Sequence, residues 1–516
     1  VTPADFFLMA GDDLVPVRLP GEVAFVEPPP PLEPLPSFRE AVRHALEAPL
    51  GSPPLARLTR RGARVTVAFD DPCLPLPPML DDPRRVMLEE VVRTLEGAGV
   101  REVDMALVCA NGLHRQWTRW ELLPLVGPAL SARFGGRVTC YDAADPSGSV
   151  SLGRSSSGLL VEVGRAVAEA DLVVYVGVPW TEMNGGHKSL ACGLSTYASI
   201  DQHHGPEVQE QSPLMHPGGS EMHRRLWEIG RHIGGRVPVF QVEAVVDNRV
   251  WAGPLQLLDL RRRRLPAGLG AARRLPPRAR RWMRKGLRGF YRPAGVWAGA
   301  VEPVHEAALT RLAASRASVD GQADILVLGL PDLNPYAVHS DMNPLLVANL
   351  GLGYAFQFGR PVPLVRPGGW VVLANPCSPG FNRRHHPAYE RFWDEVLPVT
   401  RDPARMRAEF QDAFVDDAGL IEAYRHGRAY HPAHPFYAWY WTARAQRHVG
   451  GVVIAGCTDP AVVERLGFRA AARVEEGVAL ARSVLGGAAR VVVQLMPPVF
   501  SVDVCQPGER WIQRST

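Results

Sequence analysis

Short apolar, β-branched runs alternate with stretches of helical period from residue 64 to residue 176, and again from 324 to 495. Arg64 to Phe69, Val103 to Cys109, Arg137 to Tyr141, Leu159 to Val163 and Asp171 to Val176 read as strands. Between them, Pro83 to Gly97 places Val86, Leu88, Val91, Val92 and Leu95 on one helical stripe, and Thr118 to Phe134 reads as one further helix. The second series runs through strands at Asp324 to Leu330, Trp370 to Ala374, Gly451 to Ala455 and Arg490 to Leu495. Helices are predicted there at Tyr389 to Val396, Pro403 to Phe414 and Val474 to Leu485. Strand–helix alternation predicts mostly parallel sheets joined by right-handed crossovers. Residues 1 to 60 are Pro-rich and predict a small antiparallel edge, an irregular arm and a helix over Ser37 to Glu47.

In such sheets a ligand sits outside the carboxyl ends of the strands. Three polar loops gather there: Asp70-Asp71, Asn111 to Arg115, and the long stretch after Val176. That stretch passes Asn184-Gly185-Gly186 to Lys188 and closes, after a predicted helix, on His203-His204 before Gly205-Pro206. A strand, a glycine turn, a lysine and then a histidine suggest a cofactor site.

The chain has 516 residues, too many for one ordinary core. The expected class is α/β with two domains, each a mostly parallel sheet flanked by helices, and an active site in the cleft between them. Residues 1–260 form the expected catalytic and cofactor-binding domain, 261–320 a basic insert and linker, and 321–516 a second α/β domain. A net charge of +4 is small for this length and argues against a nucleic-acid-binding surface. Seven scattered cysteines with no C-x-x-C pair predict a reducing, cytoplasmic setting and no zinc or disulfide framework. Neither a secretory leader nor a run of 18 apolar residues is evident. Residues 261–292 hold thirteen Arg or Lys and no Asp or Glu, with Trp282, Met283, Leu287, Phe290 and Tyr291 interleaved. This stretch reads either as an amphipathic segment making weak contact with an anionic membrane or as a solvated insert.

Individual motifs are weaker than their arrangement. Gly186-His187-Lys188-Ser189 resembles the end of a phosphate-binding loop, but His187 separates the glycine from the lysine, so a P-loop is not expected. His114, behind Asn-Gly-Leu, is placed to exchange protons near neutral pH, and equally to cap the following helix. His204 offers a metal ligand or a turn residue. Asp70-Asp71 could orient a base and is also a common turn signal. His385-His386, His431 and His434 show no ligand spacing.

Taken together, the motifs over residues 60 to 260 resemble the nickel-dependent lactate racemase family, with a weaker echo over 320 to 500. Asp71-Pro72-Cys73-Leu74-Pro75 is similar to the family's Asp-x-x-Arg-Pro loop, Gly112-Leu113-His114-Arg115 matches its Gly-x-His-Arg, and Leu152 to Gly158 is similar to its Leu-Gly-x-Thr-x-x-Gly. Lys188 follows Gly-Gly-x, and His204 lies sixteen residues beyond it before Gly-Pro, which favours His204 over His203. The resemblance implies a nickel pincer nucleotide joined to Lys188, with nickel held by His204 and with Asp71, Asn184, Gly185 and Gly186 around the cofactor. It implies His114 as a proton carrier, a hydroxy compound as substrate, and cofactor-synthesis proteins as partners.

Two departures bear on the substrate. Leu74 stands where the family places a carboxylate-binding arginine, and a leucine makes no bidentate contact. Trp180 follows Pro179 where the family places a second catalytic histidine, so Glu182 is the expected substitute acid or base. Leu74, Arg115 and Trp180 are therefore the expected substrate neighbours. The expected activity is racemisation or epimerisation of a 2-hydroxy acid or related hydroxy compound. One-sided redox on the same cofactor and a non-catalytic, membrane-associated paralogue are the alternatives.

Overall fold

The structure, a computed structural model, describes residues 4–252, 256, 258–260 and 275–505. It is a mixed α/β fold with several mostly parallel sheets flanked by helices. The first six-stranded sheet runs in the order Pro293–Gly299, Val239–Val246, Leu172–Gly177, Val65–Asp70, Met105–Ala110, Val138–Cys140. Only the first pair is antiparallel. The second sheet is wholly parallel and runs Arg469–Ala471, Gly451–Ala455, Val365–Ala374, Ala323–Gly329, Val491–Gln494, Val23–Val26. All six residues of Leu172–Gly177 are buried, as are the first five of Val65–Asp70. Helices on both faces exclude water from these strands, which explains why they read as apolar runs and not as alternation.

Two strands cross the division expected at residue 260. Val23–Val26 leaves the N-terminal segment and pairs with Val491–Gln494 of the second sheet. Pro293–Gly299, inside the expected linker, closes the first sheet against Val239–Val246. The antiparallel edge expected near the N-terminus is the Ala4–Ala10 and Asp13–Leu19 hairpin. The single helix expected over 118–134 is instead two, Arg119–Val126 and Pro128–Phe134. Gly127 at φ 79° and the proline after it end the first helix and start the second. The strand expected at Leu159 to Val163 is Leu160–Gly164, and it pairs with Ser149–Arg154 in a separate antiparallel ribbon.

The Arg261 to Arg264 run lies outside the described residues. Downstream, the helix Pro277–Lys285 rests on the body of the protein. Arg280 faces Asp12 at 3.4 Å, Lys285 faces Asp341 at 3.1 Å, and Arg284 donates to the Asp332 carbonyl at 2.7 Å. These cations are thus directed to the body of the chain itself, while Trp282 and Met283 are exposed. Among the described residues no helix is long and apolar enough to cross a membrane.

Candidate active site

A cavity of about 150 Å³ lies outside the carboxyl ends of the first sheet. Its wall takes Asp70, Asp71, Leu74, His114, Asn184, Gly185, Lys188 and His204 from the first half of the chain. Tyr336, Tyr354, His434, Tyr437 and Trp441 come from the second half.

The strand Val65–Asp70 delivers two carboxyl groups with different tasks. Asp70 accepts from the Val178 amide and from the Tyr175 hydroxyl, each at 2.8 Å, and so ties two strand ends together; burial raises its pKa. Asp71 Oδ2 meets His114 Nδ1 at 2.8 Å and accepts from Trp117 Nε1 at 3.2 Å. Burial opposes its charge, but the adjacent imidazole and the Cys73 hydrogen bonds outweigh that and hold its carboxyl below the usual value. A carboxylate on Nδ1 fixes the tautomer that leaves the His114 Nε2 lone pair free as a base. The Cys73 Sγ lies 3.4 Å from the same Nδ1, and burial raises its thiol well above the usual value. The donor atoms of Asp71, Cys73 and His114 lie within 4.8 Å of one another, a spacing that would also admit a metal ion. The two short distances are those of a hydrogen-bonded acid–imidazole pair with a neutral thiol beside it.

The glycine turn before Lys188 is held from behind. Gly185 and Gly186 have φ of 91° and 58°. A Cβ on Gly185 would lie 2.6 Å from Glu243 Oε1, and one on Gly186 2.7 Å from the His305 ring, so neither position accepts a side chain. The Gly186 amide donates to Glu243 Oε1 at 2.6 Å, and Glu243 Oε2 meets His305 Nδ1 at 3.1 Å. Asn184 and Gly185 reach the cavity; Gly186 is spent on this clamp. The helix His187–Gly193 then presents Lys188 and Cys192, one turn apart, to the cavity. Burial lowers the Lys188 pKa, which favours the neutral, nucleophilic amine.

His203 and His204 form a chain of defined polarity. His203 Nε2 faces the Ala191 carbonyl at 3.3 Å and must carry the proton there, so its Nδ1 is an acceptor. His204 Nδ1 lies 2.8 Å from that Nδ1 and must be the donor, which leaves the His204 Nε2 lone pair bare. Burial keeps both rings neutral, with His203 down to about 3 and His204 well below its usual value. A neutral imidazole with its second nitrogen tied to a hydrogen-bond partner is the state a metal ligand requires.

Besides Gly186, three sequence-expected residues do not reach the cavity. Arg115 is fully buried over the Trp117 ring and is spent on Glu121, at 2.6 and 3.2 Å, and on the Val338 carbonyl at 3.1 Å. Glu182 is buried between Arg316, at 2.8 Å, and Ser501, at 2.5 Å, where it joins the two halves of the chain. Trp180 lines a neighbouring apolar cavity. Glu121 also caps its own helix through Thr118, and its partners hold its carboxyl down to about 2. Glu121→Gln should therefore cost about 3 kcal/mol in urea unfolding, because Arg115 is left buried and unpaired. The Glu121 contribution is present above the ordinary carboxylate pKa and is lost as pH falls toward 2. A variant as stable as the parent at pH 7 would contradict that.

The residues missed in sequence are those of 335–441. His434 hydrogen bonds Tyr389 through Nδ1 at 2.6 Å, and its ring centroid is 5.4 Å from that of His114. Burial keeps it neutral. The Tyr336 and Tyr354 hydroxyls bond each other at 2.7 Å, and Trp441 lies under the Lys188 ammonium at 5.9 Å. The aromatic run His434–Tyr440 was the one available signal; it has no ligand spacing because its partners are in the other half of the chain.

Residues 11–214 match the family model of the lactate racemase N-terminal domain. Among solved structures, the chain is similar to the lactate racemase apoprotein from Thermoanaerobacterium thermosaccharolyticum, with TM-score 0.64 and 17% identity over 97% of this chain and 100% of that one. It is also similar to a Thermotoga maritima protein, with TM-score 0.51 and 11% identity over 91% and 97% of the two chains. At these identities the structural likeness speaks for the fold. No curated protein matches. The family resemblance of the chain thus rests on residues 11–214, which are similar to the lactate racemase N-terminal domain.

Proposed function

We propose that this protein is a racemase or epimerase acting at a hydroxyl-bearing carbon, with a nickel pincer nucleotide joined to Lys188 and its metal held by His204. The observation that carries the reading is the convergence on one cavity of a buried amine, a bare imidazole nitrogen and an acid–imidazole pair. The donor set fits the group: an amine depressed by burial for the covalent link, a neutral imidazole for nickel, and Asn184–Gly185 backbone for close approach. When bound, that cofactor supplies a hydride acceptor.

The chain's own residues do the rest. His114 Nε2 takes the substrate hydroxyl proton and returns it, while Asp71 holds the ring and stabilises the imidazolium. His434, the imidazole on the cavity wall that neither pairs with Asp71 nor is assigned to the metal, is placed to serve as the second proton carrier that a two-faced reaction needs. Tyr336, Tyr354 and Trp441 exclude water from the reacting carbon.

Production with the cofactor-synthesis proteins followed by mass spectrometry tests the reading. The expected result is a covalent addition on the Lys188 peptide and one nickel per chain. An unmodified Lys188 without nickel would overturn it. Deuterium at Cα then separates the reactions: wash-out or inversion supports racemisation, and accumulating keto product supports one-sided redox.

A further inference from the structure

We infer that the substrate is an uncharged hydroxy compound whose carbinol carbon carries a short apolar arm, received by the cavity behind Tyr354. The inference rests on the reading that the site acts at a hydroxyl-bearing carbon.

The first observation is the charge of the main cavity. Among the described residues that line it, Lys188 is the only Lys or Arg, and Asp70 and Asp71 line it too. Once Lys188 is committed to a covalent link, a substrate carboxylate would enter beside two acids with no cation to pair with it. A desolvated, unpaired carboxylate costs several kcal/mol. The guanidinium behind the Leu74 loop cannot help. Arg84 spends its N–H groups on Asp82 and on the Asp70, Asp71 and Leu74 carbonyls. Leu74 itself presents an apolar side chain to the cavity.

The second observation is independent of charge. An apolar cavity of about 40 Å³ adjoins the main one, and Pro335 and Tyr354 line both. Leu76, Trp180, Leu330, Leu333, Leu350 and Met496 complete most of its wall. It lies outside the carboxyl ends of Ala323–Gly329 and Val491–Gln494. Those neighbours sit where the strand order of the second sheet reverses, which is where open α/β sheets bind ligands. The volume holds about three water-sized groups, so it suits an arm of about three carbons.

Ligand-observed NMR with 2-hydroxypentanamide, 2-hydroxypentanoate, lactamide and lactate tests this. Binding is measured on the cofactor-loaded protein and on Lys188→Met, which removes the one cation without needing the cofactor. On both, the pentanamide should bind about tenfold more tightly than lactamide, from two further buried methylenes. Each amide should bind at least about tenfold more tightly than its acid. Leu333→Asn should bring the propyl-to-methyl ratio toward one with lactamide binding kept. Leu74→Arg should reverse the amide-over-acid preference. Acids binding as tightly as amides, no gain from the longer arm, or no binding of any compound would each overturn the proposal. Selective amide binding without Cα exchange on the loaded protein would refute the racemase reading and leave this one standing. Lactate exchanging as fast as 2-hydroxypentanamide would do the reverse.

Discussion

Lys188→Ala will give a folded protein that carries no covalent addition at position 188 and turns substrate over at least about a thousandfold more slowly. That is the scale of removing a group on which all the chemistry depends. The amine lines the cavity near the Trp441 ring and makes no ion pair among the described residues, so the fold loses none with it. Lys188→Arg should fail as completely. A guanidinium stays protonated and cannot form the link. Thermal unfolding separates loss of chemistry from loss of fold: both variants should melt within a few degrees of the cofactor-free parent. The pH dependence has a definite sign. Burial places the folded-state Lys188 below its usual 10.5, so the unfolded chain binds more protons between the two values. Stability of the cofactor-free parent should rise with pH through that window, and the Lys188→Ala protein should lack that rise. A Lys188→Ala protein that retains nickel and activity would end the proposal.

Asp71→Asn is the second large effect, expected at about a hundredfold to ten-thousandfold in Cα exchange. The Asp71 carboxylate faces His114 Nδ1 at 2.8 Å and so keeps the base on Nε2. An amide nitrogen in its place favours the opposite tautomer, with the proton on Nε2 and no base toward the substrate. Asp71 also accepts from Trp117 and from the Cys73 amide, so some stability will be lost. Binding separates the two consequences. Substrate affinity should change little while the rate falls, whereas a merely structural defect would weaken both. Acid should act in the same direction as the substitution. The Asp71 carboxyl titrates below its usual value, so its stabilisation is present above that value and is lost as pH falls through the depressed one.

Much of the site was legible in the sequence because its first half is local. Asp71, His114 and Lys188 each follow a buried strand within a dozen residues, and strand ends can be read from apolar runs that stop. His204 was legible because a fixed helical stretch separates it from Lys188. Arg115 and Glu182 were misplaced because chemistry suggests what a side chain can do, not what it touches. Arg115 found Glu121 six residues away, and Glu182 found Arg316 and Ser501, far along the chain. Both ion pairs follow from burial, which a polar residue inside an apolar pattern does not reveal.

By itself the sequence determined the α/β alternation, the strands that end at the cavity, and the lysine and histidine that line it. Periodicity reports which face of an element is buried, because the chain pays locally for misplaced polarity. Only the tertiary structure decided what each face is buried against. It sent Val23–Val26 to the second sheet and Pro293–Gly299 to the first. It brought His434, Tyr354 and Trp441 to the cavity that Lys188 lines, and it set the apolar cavity lined by Trp180 beside it. Those contacts join residues from about fifty to more than four hundred positions apart, and no local pattern encodes a partner at such distances.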